Sequence, residues 1–241
     1  NHAGTPQNEP LNHGNSASLF MGWEEARDFI KTGLGRRIAL VFVRSFGHRS
    51  LGLAYSIMGI DLVTSPAIPS NTARAGGVVY PIVKSLAETY GSDPKKGTRK
   101  KIGSFLVFSE FHSNLITSAT FMTAMAPNLV IVALAKTLHI NITWLGWFVA
   151  GVVPSVICLL ATPYIIYKMY PPEIKETPNA KQWAEKELDQ MGKMTLPEKL
   201  MAVIFIIALV LWMTGSLTKI DTSRAASSTP GPHSVVGVLS W

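Results

Sequence analysis

Three apolar blocks dominate the pattern of hydrophobic and polar positions along this chain. Residues 113–135, 140–167 and 200–218 contain no acidic, basic or histidine side chain. A bilayer core about 30 Å thick needs roughly 20 helical residues, so each block is long enough to cross it. The pattern therefore predicts an all-α polytopic membrane protein rather than a soluble helical core.

A shorter apolar stretch in the first half of the chain is interrupted by polar residues. Residues 51–63 would form a helix of roughly 20 Å, too short to cross a bilayer, and Pro66 and Pro69 end it. The triplet Ser70-Asn71-Thr72 follows, and all three residue types are favoured at helix N-caps. Polar backbone at membrane depth persists only where it lines a cavity or is packed in protein. We therefore predict a re-entrant helical hairpin over 51–91 whose second arm begins at the triplet; one bent spanning helix is the alternative.

The block that starts near residue 102 is longer than one span needs and contains a second polar cluster. Thr123 and Asn128 flank Pro127, which breaks a helix but is favoured at the start of a new one. We therefore predict a broken transmembrane helix over 102–138, interrupted at 123–128; a simple proline kink is the alternative. Trp144 and Trp147 are expected to form an interfacial belt for the next span.

Polar and basic segments separate these elements. Only 15% of residues are charged, against about 25% in soluble domains, and the net charge is +7. Five basic residues crowd the loop 92–101, which the positive-inside rule assigns to the cytoplasm. No aromatic residues interleave with them, which argues against a nucleic-acid partner. The other predicted segments are a disordered N-terminal segment (1–22), an interfacial helix (23–50), a transmembrane helix (141–168), a cytoplasmic amphipathic linker (169–199), a transmembrane helix (200–218) and a disordered C-terminal segment (219–241).

The two interruptions offer similar chemistry to an anion. A helix N-terminus carries roughly half a positive charge, and one is predicted at Ser70-Asn71-Thr72 and another at Pro127-Asn128. Two such ends can share one carboxylate of a di- or tricarboxylate, with the triplet side chains as further donors. Carbonyls freed near Ala124 and Met125 are hard oxygen ligands that suit Na⁺.

Four ionisable residues near these interruptions have roles that the sequence leaves open. Arg74 lies one turn into the return helix and either neutralises a further carboxylate or forms a structural pair. Glu110 and His112 are either a proton relay or an interfacial pair near water, and Asp61 precedes the tip. The chain shows no nucleophile–base pair, metal-ligand spacing or phosphate loop, so we expect neither an enzyme nor a cofactor other than Na⁺ as a coupling ion.

These motifs resemble a known family. The run SPAIPSNTARAGGVVYPI at 65–82 is similar to the first signature of the divalent anion:sodium symporter (DASS) family. It is nearest the branch of bacterial citrate and malate carriers and the plastid 2-oxoglutarate/malate translocator. The runs KTGLGRRIA at 31–39, TAMAPN at 123–128 and YKMYPPEIK at 167–175 resemble the same branch.

The resemblance implies a homodimeric secondary transporter with inverted repeats and elevator-like movement, working by sodium symport or anion exchange. The substrates it implies are malate, succinate, 2-oxoglutarate and citrate. Its substrate contacts fall on Ser70, Asn71 and Thr72 and near Met125 and Pro127. Its first sodium site falls on Ser70, Asn71 and the backbone near Ala124. A serine ligand of sodium-coupled relatives is Pro66 here, although Ser65 is adjacent.

The resemblance covers residues 26–221, and the second substrate hairpin of the family is not found after residue 218. The chain is therefore expected to be a fragment, in the bacterial plasma membrane rather than the plastid inner envelope. The alternative function is that of a non-transporting membrane fragment holding half of a binding site, because the midplane pocket forms between two repeats.

Overall fold

The computed structural model describes residues 30–218, and this part of the chain is helical, with one isolated β-bridge between Arg49 and Glu176. The all-α prediction is therefore confirmed for these residues, while the predicted segments 1–22 and 219–241 lie outside them. The elements in chain order are α1 (Leu34–Phe46), α2 (Ser50–Thr64), α3 (Asn71–Arg74), a π-helical segment (Ala75–Val79), α4 (Tyr80–Thr89), α5 (Gly103–Thr120), α6 (Ala126–Thr137), α7 (Trp144–Met169), α8 (Pro178–Met191) and α9 (Leu196–Thr218).

The predicted hairpin consists of α2 and a second helical arm formed by α3, the π-helical segment and α4. The π-helical segment is a wider turn inside the second arm. It forms there because Pro81 has no N–H and its ring crowds the carbonyl four residues earlier. Arg74, in the first turn of this arm, contacts Asp61, in the last turn of α2. The chain therefore doubles back at residues 65–70, while its re-entrant position in a membrane stays a prediction.

The apolar core lies where α1, α2, α4 and α5 meet. Leu40, Ile57, Val83 and Leu106, one from each of these helices, are fully buried in it. Most positions of α2 are buried, which explains why its sequence is apolar on nearly every side: a helix that is hydrophobic all round is one surrounded by other elements. The short apolar run that suggested a membrane hairpin is thus also the centre of the protein core.

Helix α9 begins with a capping box that also ties it to α1. The Thr195 backbone N–H donates to Glu198 at 2.6 Å, and the Glu198 N–H donates to the Thr195 hydroxyl at 3.4 Å. Arg37 of α1 donates to both carboxylate oxygens of Glu198, at 2.8 and 3.2 Å, and its guanidinium is the main reason that the pKa of Glu198 is lowered. The sequence contains the Thr-x-x-Glu spacing of a capping box, but nothing in it identifies Arg37 as the partner.

The apolar blocks are distributed over the helices differently from the prediction. The block 113–135 is divided between α5 and α6, so it does not form one span. Among the described residues, α7 is the one helix that is by itself long and apolar enough to cross a membrane. Pro178–Met191 and Leu196–Leu211 qualify only as a pair, and they are bent by 108°.

Large apolar side chains remain exposed along α6, α7 and α9. They include Leu134, Val153, Ile157, Val203 and Ile206, each more than half exposed. Contiguous apolar surface of this kind marks contact with a membrane or with another protein surface. It agrees with the lipid bilayer as a partner, which stays a prediction for this chain.

Candidate functional site at two helix interruptions

The tip of the hairpin is capped by its own side chains. Ser70 has extended backbone angles, φ −135° and ψ 108°, and its hydroxyl accepts a hydrogen bond from the Ala73 N–H at 3.2 Å. The Asn71 Oδ1 accepts from the Thr72 N–H at 2.9 Å. Ser70 and Asn71 are partly exposed and Thr72 is exposed. The second arm therefore begins at the predicted triplet, and the Ser70 hydroxyl proton and Asn71 amide nitrogen take no part in these caps.

The chain does break between α5 and α6, rather than kinking once. Helix α5 ends at Thr120, and α6 begins at Ala126 with Pro127 as its second residue. Met125 is the N-cap residue, with an extended backbone at φ −155° and ψ 149°, and no side chain caps this helix. Pro127 has no N–H and the Asn128 N–H donates to the Met125 carbonyl at 3.2 Å, so the Ala126 N–H is the backbone donor left among the first three residues of α6.

Arg74 hydrogen-bonds to backbone carbonyls at both helix interruptions. Its Nη1 donates to the Ile68 carbonyl before α3 and to the Ala124 carbonyl before α6, in both cases at 3.3 Å. One guanidinium nitrogen therefore joins the two helix interruptions. This contact between sites 50 residues apart in sequence is the central feature of the candidate site.

The positive charge of Arg74 is balanced by Asp61. The Arg74 Nε lies 2.7 Å from the Asp61 Oδ1, and both side chains are 0% exposed. Of the two roles open for Arg74, the structure shows the ion pair; a substrate contact stays a prediction. A charge buried this deeply requires a partner and saturated hydrogen bonds.

Polar residues on one face of α5 complete the hydrogen bonding of this pair. Arg74 Nη2 donates to Ser118 at 2.9 Å and to Thr117 at 3.3 Å. Asp61 accepts from Asn114 at 3.3 Å and from the Thr117 hydroxyl. The sequence alone assigned these residues no role. The spacing 114, 117, 118 was the available indication, because it places all three side chains on one helix face.

Asn128 has a structural role at the end of α5. It is 2% exposed, and its amide nitrogen donates to the Ser118 and Phe121 carbonyls at 2.8 and 3.0 Å. These carbonyls belong to the end of α5, where the helix no longer supplies donors. Both amide hydrogens of Asn128 are therefore bonded to carbonyls at the break between α5 and α6. A substrate contact of Asn128 stays a prediction.

Two of the four predicted sodium ligands, Ala124 and Ser65, make hydrogen bonds within the protein. The Ala124 carbonyl accepts from Arg74, and the Ser65 hydroxyl donates to the Leu62 carbonyl at 2.9 Å. A Na⁺ on the Ala124 oxygen would lie beside the guanidinium, but Asp61 balances that charge at 2.7 Å and the carbonyl keeps a second lone pair. A sodium ion at this carbonyl therefore stays a prediction.

The two tryptophans at the start of α7 contact the break. The Trp144 indole N–H donates to the Thr123 hydroxyl at 3.3 Å, and the Trp147 indole N–H donates to the Ala119 carbonyl at 2.9 Å. Trp144 is only 6% exposed and stacks with Phe121 at 6.0 Å. The Trp144 ring is thus buried against the end of α5, and the interfacial belt stays a prediction.

Glu110 and His112 do not form a pair. His112 is partly exposed, and its Nδ1 bonds the Phe108 carbonyl of its own helix at 2.8 Å. Glu110 is 7% exposed, and within residues 30–218 its Oε1 has no hydrogen-bond partner, nor does the buried Ser113 hydroxyl. Glu110 faces the interior, close enough to Asp61 and Arg74 to interact with them electrostatically. The alternative of an interfacial pair near water is therefore wrong.

Comparison with known proteins gives this geometry a context. A family model described as the sodium:sulfate symporter transmembrane region matches residues 14–241. "Putative malate transporter YflS" of Bacillus subtilis is 49% identical over 217 residues, which are 90% of this chain and 45% of that protein.

Two further relatives are similar. Chloroplastic dicarboxylate transporter 1 of Spinacia oleracea is 42% identical, over 90% of this chain and 38% of its own length. The L-tartrate/succinate antiporter of Escherichia coli K12 is 37% identical, over 92% of this chain and 46% of its own length. The chain thus spans less than half the length of the curated relatives that it matches.

Proposed function

The chain belongs to the divalent anion:sodium symporter family, and we propose that it forms part of a secondary transporter that carries di- or tricarboxylates across a membrane. The family and its named members are transporters rather than enzymes. The observation that carries the proposal is the position of Arg74, whose Nη1 joins the hairpin tip and the start of α6. The substrate contacts proposed here are Ser70, Asn71 and Thr72 at the tip and Met125 and Pro127 at the second interruption.

These groups suit an anion that must be bound and released. A carboxylate that leaves water needs replacement donors, and a fixed full charge would hold it too tightly. The tip offers a hydroxyl and an amide, while the start of α6 offers the Ala126 N–H at the positive end of a helix. Because Asp61 already neutralises Arg74, the proposed site attracts a carboxylate through dipoles rather than through a free cation.

We propose anion exchange as the mode of transport and keep sodium symport as the second candidate. The supporting observation is that the Arg74 guanidinium occupies the Ala124 carbonyl, which the sodium site of this family would need. The printed name of one relative, an antiporter for L-tartrate and succinate, agrees with exchange.

The proposed membrane location and assembly of the protein follow from its family. We propose that the chain belongs to an integral, multi-pass membrane protein of the bacterial plasma membrane, with the plastid inner envelope as the second location. A homodimer of inverted repeats that moves as an elevator is proposed for the full-length protein. The alternative is that this chain alone is a non-transporting membrane fragment with half of the site, a view supported by its coverage of 38% to 46% of its relatives.

The test is uptake of labelled malate and succinate into proteoliposomes. The 241-residue chain and a full-length parent are reconstituted in parallel, with and without a sodium gradient and with and without internal malate. Uptake that needs internal malate but no sodium supports exchange, whereas uptake that needs the gradient supports symport. Uptake by the parent alone supports the view that this chain holds half of the site.

The site is tested in the full-length parent by Asn71→Ala, with Asn179→Ala on the exposed surface of α8 as the matched control. We expect Asn71→Ala to abolish uptake while the amount of protein inserted in the membrane is unchanged. The control should transport normally. Wild-type uptake by Asn71→Ala would contradict the proposed substrate site.

A further inference from the structure

A groove between α4 and α5 lies outside the proposed substrate site. It encloses about 960 Å³, which is at the upper end of the range for ligand pockets. Apolar side chains form its floor. They are Tyr80, Val83 and Ala87 of α4 and Val107 and Phe108 of α5. Tyr80 and Phe108 are each about half exposed, at 47% and 50%, so the groove presents open apolar surface.

Basic side chains surround one end of this groove. Lys95, Lys96 and Arg99, from the loop between the two helices, are exposed and line the cavity. Within residues 30–218 none of the three forms an ion pair, in contrast to Lys84, which lies 3.9 Å from Glu88.

Acidic groups do not cancel this charge. The lining contains four basic and two acidic side chains. Glu88 is paired with Lys84, and the Asp93 carboxylate already accepts the Lys95 backbone N–H at 2.9 Å. Among the described lining residues, Asp93 is the one acid near the loop that is not paired with a lysine, against Lys95, Lys96 and Arg99, so this end of the groove keeps a net positive charge.

The loop that carries the cations is held in place by its own hydrogen bonds. The buried Ser92 hydroxyl donates to the Thr98 carbonyl at 3.0 Å and accepts from the Gly103 N–H at 3.0 Å. The Thr98 hydroxyl donates to the Gly91 carbonyl at 2.8 Å. The Lys100 carbonyl accepts from the Glu173 N–H at 3.1 Å, which fixes the far side of the loop. The cationic side chains thus start from an ordered backbone, which reduces the entropy lost when they bind an anion.

We propose that this groove binds an anionic phospholipid of the surrounding bilayer, with its phosphate on Lys95, Lys96 and Arg99 and an acyl chain along the apolar floor. A small soluble anion would use the cations but leave the floor empty. The α4 side of the groove, from Tyr80 to Glu88, is about 12 Å long at 1.5 Å per residue, which accommodates part of an extended acyl chain. The positive-inside rule assigns this loop to the leaflet where anionic lipids attract basic segments.

The test is native mass spectrometry of the purified chain in detergent, titrated with phosphatidylglycerol or phosphatidylcholine. We expect phosphatidylglycerol to bind at least tenfold more tightly. The variant K95Q/K96Q/R99Q should lose this preference, while K175Q/K181Q/K186Q, which removes three exposed charges elsewhere, should keep it. Val107→Trp fills the groove without changing its charge and should also weaken binding of phosphatidylglycerol.

Three results would overturn the proposal: equal binding of the two lipids, an unchanged preference in K95Q/K96Q/R99Q, or full displacement of the lipid by millimolar glycerol 3-phosphate. The last result would show a site for a soluble phosphate. Far-UV circular dichroism verifies that each variant is folded, and Arg99→Glu provides a single substitution if the triple variant is not. Because no transport is measured, a negative result here leaves the proposed carboxylate transport untouched.

Discussion

The Arg74 guanidinium lies 2.7 Å from the Asp61 carboxylate, and neither side chain has any exposed surface. This ion pair fastens the first turn of the second hairpin arm to the last turn of α2. It also holds the guanidinium where it contacts the carbonyls of both helix interruptions. The stability of the hairpin and the geometry of the proposed substrate site therefore depend on the same two residues.

Breaking this pair from one side should destabilise the fold strongly. Asp61→Leu leaves a buried guanidinium without its counter-charge, and Arg74→Met leaves a buried carboxylate, so each should cost about 3–5 kcal/mol. The double variant should cost much less, because it removes both charges. Thermal unfolding in detergent over the double-mutant cycle measures this, and additive losses would contradict coupling between the two residues.

Asn128 and Asn71 should differ in what their loss affects. Asn128→Ala removes the donors that seal the buried end of α5 and should lower the free energy of unfolding by about 1–3 kcal/mol. Asn71→Ala removes a partly exposed cap and should cost less than about 1 kcal/mol, while abolishing uptake in the full-length parent. Equal stability losses in the two variants would refute the structural role assigned to Asn128.

The contact between α1 and α9 should weaken in acid. Because Arg37 lowers the pKa of Glu198 below its unfolded value of 4.5, the contact stabilises the fold above that pH and is lost as the pH falls through the folded-state pKa. Glu198→Gln should therefore be less stable than the native chain at neutral pH, by about 1–3 kcal/mol. The difference in unfolding temperature should narrow below pH 4.5, and a constant difference across the pH range would contradict this assignment.

The indole N–H of Trp147 should limit opening of the break between α5 and α6. Trp147→Phe keeps an aromatic ring but leaves the Ala119 carbonyl without this donor, at a cost of about 1 kcal/mol. Amide hydrogen exchange should rise about fivefold over residues 119–126, since 1 kcal/mol corresponds to that factor. Trp183→Phe on α8 makes the same chemical change elsewhere and should leave exchange in this segment unaltered.

Gly52 should be needed for the close packing of α1 and α2. A Cβ at Gly52 would lie 2.2 Å from the Phe46 carbonyl oxygen, and a backbone atom has little room to move. Gly52→Ala should therefore cost about 1–3 kcal/mol. Gly76→Ala is the control, because a Cβ there would meet nothing within 4 Å. Gly52→Ala should unfold at a clearly lower temperature than Gly76→Ala. Similar unfolding temperatures would show that the turn between α1 and α2 relaxes at no cost in stability.

The helix interruptions could be predicted because their causes are local. Pro66 follows the end of α2, the N-cap types at 70–72 begin the second arm, and Pro127 stands in the first turn of α6. The resemblance to the family predicted a substrate contact at the tip, and the named relatives agree with carboxylate transport. Each of these predictions rests on a short run of consecutive residues.

The tertiary structure decided which of these polar groups remain available to bind a substrate or an ion. The Arg74–Ala124 contact joins residues 50 apart, and the Arg37–Glu198 contact joins residues 161 apart. No local pattern predicts that the Arg74 guanidinium would donate to the Ala124 carbonyl, the expected sodium ligand. Nor does one predict that the Asn128 amide would donate to carbonyls at the end of α5. A buried charge takes whichever partner the fold brings within hydrogen-bonding distance, and that choice is made by packing rather than by sequence neighbours.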